Sequence, residues 1–270
     1  MTEWTAARVE SNGIELHYRR TGGDLPQILL LHGITDNGLY WGLTAAELQA
    51  DYDLILLDAR GHGLSDAPES GYRTADQAAD AAAVIQALGL DRPIVMGHSM
   101  GAAVAAVTAA TYPDLVRAVI LEDPPWALAL PPEAQVQTQA DEWLRDTLAR
   151  QTMTLADIAA GKREESPHWE ESIIMAWAEA KQQVSPHVFE FVETGIFDWT
   201  GIAELLQCPG LLITGDVELG ALVTQELADQ LNNHWPLGQA VHIPGAGHSI
   251  RREQFAPYMA AVRAFLAGLD

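Results

Sequence analysis

The chain has 270 residues, 48% of them hydrophobic, which is enough to bury a sizeable core, so a disordered chain is not expected. Its 37 acidic against 15 basic side chains leave a formal charge of −22, which repels phosphate backbones and anionic membrane surfaces, so neither nucleic acid nor membrane is an expected partner. The single Cys208 excludes an internal disulfide and a cysteine-rich metal site.

Met1-Thr2-Glu3-Trp4-Thr5 has no basic stretch leading into an apolar one, and no run approaches the roughly 18 apolar residues of a membrane span, so a soluble cytoplasmic protein is expected. Ile14 to Tyr18 alternates like a strand, whereas Ile28-Leu29-Leu30-Leu31 and Leu54-Ile55-Leu56-Leu57 are continuous apolar runs, as in strands covered on both faces. Thr74 with Gln77 reads as a capping box ahead of a helix through Ala78, Ala81, Ile85 and Leu88, stopped by Gly89. Further strands are expected at Ile94 to Met96, Val116 to Leu121, Leu211 to Ile213 and Ala240 to Ile243. Phe255, Tyr258, Met259, Val262 and Phe265 share one face of a last helix. This alternation predicts an α/β fold with a mostly parallel sheet.

The stretch from Pro124 to about Leu205 breaks the rhythm. Val136, Ala140, Trp143 and Leu144 trace one helical stripe, and Trp169, Ile173, Ile174 and Trp177 another, with breaks at Pro131-Pro132 and Ser166-Pro167. Such an insertion can cover the crevice at the carboxyl ends of the strands. The expected division is therefore a core of residues 1–123 and 206–270 and a helical cap of residues 124–205. Most of the cap tryptophans are expected to glue it to the core, while Trp126, Trp143 and Trp177 are candidates for an apolar substrate pocket.

Gly97-His98-Ser99-Met100-Gly101 lies between an apolar strand and a run of small residues. A serine on so tight a strand-to-helix turn presents its Oγ outward, and the following helix start offers the Met100 N–H to an attacked carbonyl. Against a mere glycine-rich turn with a serine N-cap, this context favours Ser99 as a nucleophile. A serine hydroxyl needs a base, and His248, in the flexible loop Pro244-Gly245-Ala246-Gly247-His248 before the last helix, is the candidate. His98 points away from its neighbour on the turn and reads as a structural donor. Leu31-His32-Gly33-Ile34 follows a strand, and the Ile34 N–H is the second expected oxyanion donor. No histidine pair has zinc spacing, so no metal is expected.

Leu31-His32-Gly33, Asp58-Ala59-Arg60-Gly61-His62-Gly63, Gly97-His98-Ser99-Met100-Gly101 and Gly245-Ala246-Gly247-His248 together resemble the α/β-hydrolase superfamily over nearly the whole chain. The resemblance implies an eight-stranded sheet, a cap after the sixth strand, a Ser-acid-His triad and no cofactor. It places Ser99 as nucleophile, His248 as base, and Ile34 and Met100 as oxyanion donors. A serine in the turn argues against dehalogenase or epoxide hydrolase chemistry, which resembles this fold but uses aspartate there. The acid is open. Counting forward from Gly215 reaches Glu218, counting back from Leu222-Val223 reaches Gly220, and Asp216 stands at the strand end. Some relatives take the acid from the sixth strand, where Leu121-Glu122-Asp123-Pro124 offers two. Glu122, similar in place to the acid of certain lactonases, is expected first, then Asp216 and Glu218, with Asp123 last.

The implied function is hydrolysis of small carboxylic esters or lactones with an apolar part, through an acyl-enzyme on Ser99. The alternatives are a cofactor-free perhydrolase, amide or C–C bond hydrolysis next to a carbonyl, and a receptor that kept the fold without turnover. Oligomeric state leaves no signal.

Overall fold

A computed structural model describes residues 4–127, 133–167, 169–194 and 199–269. Eight strands, β1 (Thr5–Ser11), β2 (Ile14–Arg20), β3 (Gln27–Leu31), β4 (Asp53–Leu57), β5 (Ile94–His98), β6 (Ala118–Glu122), β7 (Gly210–Thr214) and β8 (Gly238–His242), form one sheet. Its order is β1-β2-β4-β3-β5-β6-β7-β8. The β1-β2 and β2-β4 pairs are antiparallel and all pairs from β4 to β8 are parallel. The central strands β4, β5, β6 and β7 are buried along their whole length, which is why they read as unbroken apolar runs.

The helices are α1 (Gly42–Leu48), α2 (Thr74–Ala87), α3 (Met100–Thr111), α4 (Glu133–Gln151), α5 (Leu155–Glu165), α6 (Glu171–Gln182), α7 (Glu190–Thr194), α8 (Trp199–Ala203), α9 (Gln225–His234), α10 (Ile250–Glu253) and α11 (Phe255–Ala267). One apolar core lies between the sheet and the helices α2, α3 and α9, and a second lies under α1 and α11, where Tyr258, Met259, Val262 and Phe265 are buried as their spacing predicts. Cys208 is a buried free thiol in the first core, and burial pushes its pKa up to about 11.

One strand escapes the apolar pattern, and one local expectation needs correction. The first strand was not visible in the apolar pattern because β1 is an edge strand with mostly exposed side chains. The signal it does carry is Asn12-Gly13, whose positive φ angles of 50° and 81° close the β1-β2 hairpin. The α2 start is not a Thr74-Gln77 box either. Arg73 stands at the cap with its backbone N–H donating to the Asp76 carboxylate at 3.2 Å, and Gln77 donates back to the Tyr72 carbonyl at 3.0 Å. Gly89 does follow the helix end, with φ of 61°.

Among the described residues, everything regular between β6 and β7 is helical, from α4 to α8. Ala140 of α4 is buried with Val136 and Leu144 packed alongside, against Val188, Phe189 and Phe191. Ile174 and Ala178 of α6 pack on Ile158 and Ala159 of α5 with Trp169 and Trp177 beside them, so both stripes are packing faces, although Trp143 of the first is itself exposed. The Pro131-Pro132 break lies outside the described residues. No helix among the described residues is long and apolar enough to cross a membrane.

Candidate active site

The parallel strands end on one edge, and the turns leaving β3, β5 and β6 and the loop after β8 bring Ile34, Ser99, Asp123 and His248 there. At Ser99 the chain turns from β5 into α3 within one residue, at φ 52° and ψ −118°. A non-glycine residue there is strained, and the surroundings hold it in place. The Ser99 N–H donates to the Glu122 carbonyl at 2.9 Å, and the Ser99 carbonyl accepts from Ala102 and Ala103 at 2.9 and 3.1 Å. Any Cβ on Gly97 would collide with the Gly101 carbonyl, and one on Gly101 with the carbonyls of Leu31 and His32. The two glycines are therefore required by close backbone approach of α3 to β3 and β5.

Ser99 is 8% exposed and opens into a cavity of about 730 Å³ that it shares with Ile34, His98 and His248. Trp126, Trp143 and Trp177, the three pocket candidates of the sequence, all line this cavity. Trp126 is also stacked on Trp199 at 5.7 Å between centroids, so it serves packing as well. Met100 begins the twelve-residue α3, where first-turn N–H groups lack intrahelical acceptors. Ile34 sits in a turn closed by the Asp36 N–H to the Gly33 carbonyl at 3.1 Å, and Thr35 beside it has φ of 65°.

This turn after β3 is gripped from α6. The Lys181 ammonium donates to the Thr35 carbonyl at 2.9 Å, the Thr35 hydroxyl at 2.7 Å and Asp36 Oδ1 at 2.8 Å, and burial lowers its pKa. The helical segment thus holds the loop that carries Ile34, a connection with no local signal in the sequence.

His248 Nδ1–H donates to Asp123 Oδ2 at 2.6 Å. The Asp123 side chain is fully buried and also accepts backbone N–H bonds from Leu222 at 2.9 and 3.1 Å and from Val223 at 2.9 Å. Three donors, the His248 ring and the Leu222 and Val223 N–H groups, converge on one carboxylate and fix its direction. The carboxylate that meets His248 is therefore Asp123, expected last as the acid, and not Glu122, expected first. Glu122 is fully buried on another face and is engaged by Arg251, which gives it its backbone N–H at 3.0 Å and a guanidinium N–H through Nη1. Successive strand residues point to opposite sides, and Glu122 follows Ile120 into the core under α11, away from His248. Asp216 accepts from His242 Nε2 at 2.9 Å and from the Gly245 N–H at 2.7 Å, so it braces the loop before His248 without touching the imidazole. Glu218 is exposed in a short 3₁₀ turn after β7. The Leu222 and Val223 N–H groups after β7, from which counting back reached Gly220, point instead at Asp123 at the end of β6.

The other histidines near the site are neutral braces. His98 Nε2–H donates to the His248 carbonyl at 2.9 Å, and the two rings lie 4.7 Å apart. Burial holds the His98 pKa well below its usual value. His32 donates through Nδ1 to the Gly33 carbonyl at 2.8 Å and accepts from the Ala59 N–H at 3.0 Å, and burial lowers its pKa. His62, buried beside His32, accepts the Thr35 N–H at 3.3 Å and is pushed down to about 3 by burial. Two of the bracing histidines thus hold the β3 turn and one holds the His248 backbone.

A protein-family model described as the alpha/beta hydrolase fold matches residues 26–251. The 2-(acetamidomethylene)succinate hydrolase of Mesorhizobium japonicum is 42% identical over 116 residues, 43% of this chain and 41% of that protein. The N-formylmaleamate deformylase of Pseudomonas putida is 42% identical over 118 residues, 43% of this chain and 44% of that protein. The matches span less than half the length of these curated relatives. In three dimensions the chain is similar to the crystal structure of an E-2-(acetamidomethylene)succinate hydrolase, with a TM-score of 0.82 and 26% identity, covering 98% of this chain and 100% of that one.

Proposed function

This chain belongs to the α/β-hydrolase fold family, and from that premise we propose that it is a serine hydrolase of small carboxylic esters or lactones, working through an acyl-enzyme on Ser99. The observation that carries the reading is the 2.6 Å bond from His248 Nδ1–H to Asp123, in an imidazole that shares one cavity wall with Ser99. A fold alone does not specify chemistry, whereas a nucleophile, a base and an orienting acid brought together support acyl transfer.

In this mechanism His248 Nε2 takes the Ser99 proton as Oγ attacks the carbonyl carbon. Asp123 stabilises the imidazolium that forms and keeps the ring in the tautomer whose Nε2 is free to accept. The Ile34 and Met100 N–H groups receive the developing oxyanion. Collapse of the tetrahedral intermediate releases the alcohol, protonated by His248. Water activated by the same imidazole then cleaves the acyl-enzyme, returning Ser99 and the carboxylic acid. Residues 124–205 act as a cap over the core of residues 1–123 and 206–270, and Trp126, Trp143 and Trp177 supply apolar surface to the bound acyl or alcohol part.

Amide hydrolysis is the second reading. It is favoured by the acetamido and formyl groups in the names of the two curated relatives, and the same residues serve it, with His248 protonating a nitrogen instead of an oxygen. Matched esters, lactones and N-acyl amides of small acids, assayed on wild type and Ser99→Ala, separate the readings. Ester or lactone turnover above amide turnover supports the first, and the reverse order supports the second. In either case Ser99→Ala is expected to lower kcat by about 10⁴-fold or more. A variant retaining comparable rates would mean that Ser99 is not the nucleophile.

A further inference from the structure

Only 15 of the 270 side chains are Lys or Arg, yet four of them gather around two tryptophans beside the cavity. Arg150 lies 6.0 Å from the Trp177 ring centre, Lys181 lies 5.3 Å from it, and Lys162 lies 5.1 Å from Trp177 and 4.6 Å from Trp169. Arg252 lies 5.5 Å from Trp169. Like charges held this close repel, and both Arg150 and Lys162 add to the lowering of the Lys181 pKa that burial begins. Aromatic faces offset part of that cost.

Three of the four cations have well-placed partners. Lys181 spends its three N–H bonds on Thr35 and Asp36. Lys162 meets Glu165 at 3.3 Å, and Arg252 donates to the Tyr40 carbonyl at 2.8 Å. Arg150 differs. It projects from α4, lines the cavity and is 33% exposed. Among the described residues its carboxylate neighbour is Asp146 at 3.6 Å, which is 64% exposed and too far for a hydrogen bond. Five guanidinium N–H groups are thus set on a cavity wall with no close acceptor among the described residues, in a chain whose overall charge is strongly negative.

We propose that Arg150 is an anion subsite, and that the substrate hydrolysed at Ser99 carries a carboxylate in addition to the reacting carbonyl. The planar guanidinium suits bidentate capture of that carboxylate, and the Trp177 face behind it keeps the fork oriented. Thr147 and Gln139, one and three turns back along α4, line the same cavity and offer further polar contacts. The subsite would also counter the repulsion that an acidic protein exerts on an anionic substrate.

This inference rests on the hydrolase reading, and the test separates the two. The substrates are the mono-4-nitrophenyl esters of adipate and suberate, each compared with the 4-nitrophenyl ester of the corresponding acid that ends in methyl instead of carboxylate. Wild type is expected to prefer the anionic member of at least one pair by about tenfold or more in kcat/KM, chiefly through KM. Arg150→Met is expected to erase that ratio. Arg145→Met removes the same charge from an exposed position on α4 and is expected to keep it. A wild type without the preference, or a ratio that falls equally in both variants, overturns the anion subsite while turnover of the neutral esters leaves the hydrolase reading standing. Absence of turnover on every ester, with Ser99 unreactive toward a fluorophosphonate, overturns both.

Discussion

Asp123→Asn is expected to lower kcat by about 10⁴-fold with little change in KM, the size of effect seen when the orienting acid of a triad becomes an amide. An asparagine can still accept from Leu222 and Val223, so the loop that delivers those N–H groups should keep its place. What it cannot do is hold His248 with Nδ1 protonated and stabilise the imidazolium, because its NH₂ can turn toward the ring and invert the tautomer. Asp216→Asn and Glu218→Gln, whose side chains do not touch His248, should each change kcat by less than about tenfold. Steady-state kinetics on the three variants with one ester decides between the carboxylates. A large loss in Asp216→Asn with near-normal Asp123→Asn would reverse the assignment.

Glu122→Gln should act on stability instead of on chemistry. The Glu122–Arg251 pair is fully buried, and burial pushes the carboxyl pKa up while Arg251 pulls against it. Arg251 is further sandwiched near the rings of Trp41 at 3.9 Å and Tyr40 at 4.2 Å. Removing the carboxylate leaves a guanidinium without a counter-charge in the core, a change that costs about 3–5 kcal/mol. For a chain of this size that corresponds to a drop in Tm on the order of 10 °C. Replacing both members, Glu122→Met with Arg251→Met, should recover most of the loss, since a buried pair and a well-packed apolar pair are often close in stability. The folded fraction of Glu122→Gln should keep its turnover within about tenfold, because Asp123 still holds His248. Thermal unfolding and kcat measured on the same preparations check both parts. Native-like stability with a kcat loss of about 10⁴-fold would instead make Glu122 the triad acid.

The contrast between these neighbours shows what a sequence can and cannot reveal. Ser99 was legible because its signal is local: two glycines, a strand before and small residues after, all forced by the close approach of α3 to β3 and β5. His248 was legible for a similar reason, since a glycine-rich loop before the last helix is a contiguous feature. The carboxylate partner of His248 is different. It meets His248 across 125 positions of chain, and its choice over Glu122 is made by the face to which each points as β6 ends. Asp123 has φ of 43° there, a turn that no composition or spacing announces. Its backbone donors come from Leu222 and Val223 after β7, so the usual landmark was present while the carboxylate arrived from the neighbouring strand.

Elsewhere the fold followed the same logic. Buried central strands and the α11 stripe stood out in apolar pattern, whereas β1, half polar and at the edge, did not. The anchoring of the β3 turn by Lys181 and the placement of Arg150 on the cavity wall depend on how α4 and α6 pack, and neither lysine nor arginine carries a motif that would have marked it. Surface charge in an acidic chain is the ordinary expectation for both residues, and only the three-dimensional neighbourhood distinguishes them.

The most direct measurement of the central claim is covalent labelling with a fluorophosphonate, followed by intact mass and peptide mapping. An activated Ser99 beside His248 and Asp123 predicts stoichiometric addition of a single phosphonyl group, carried by the peptide that contains Gly97 to Gly101. The same treatment should leave Ser99→Ala unmodified and should be slowed strongly in Asp123→Asn. Folded wild type that resists the reagent, or equal labelling of Ser99→Ala at another residue, would contradict the account.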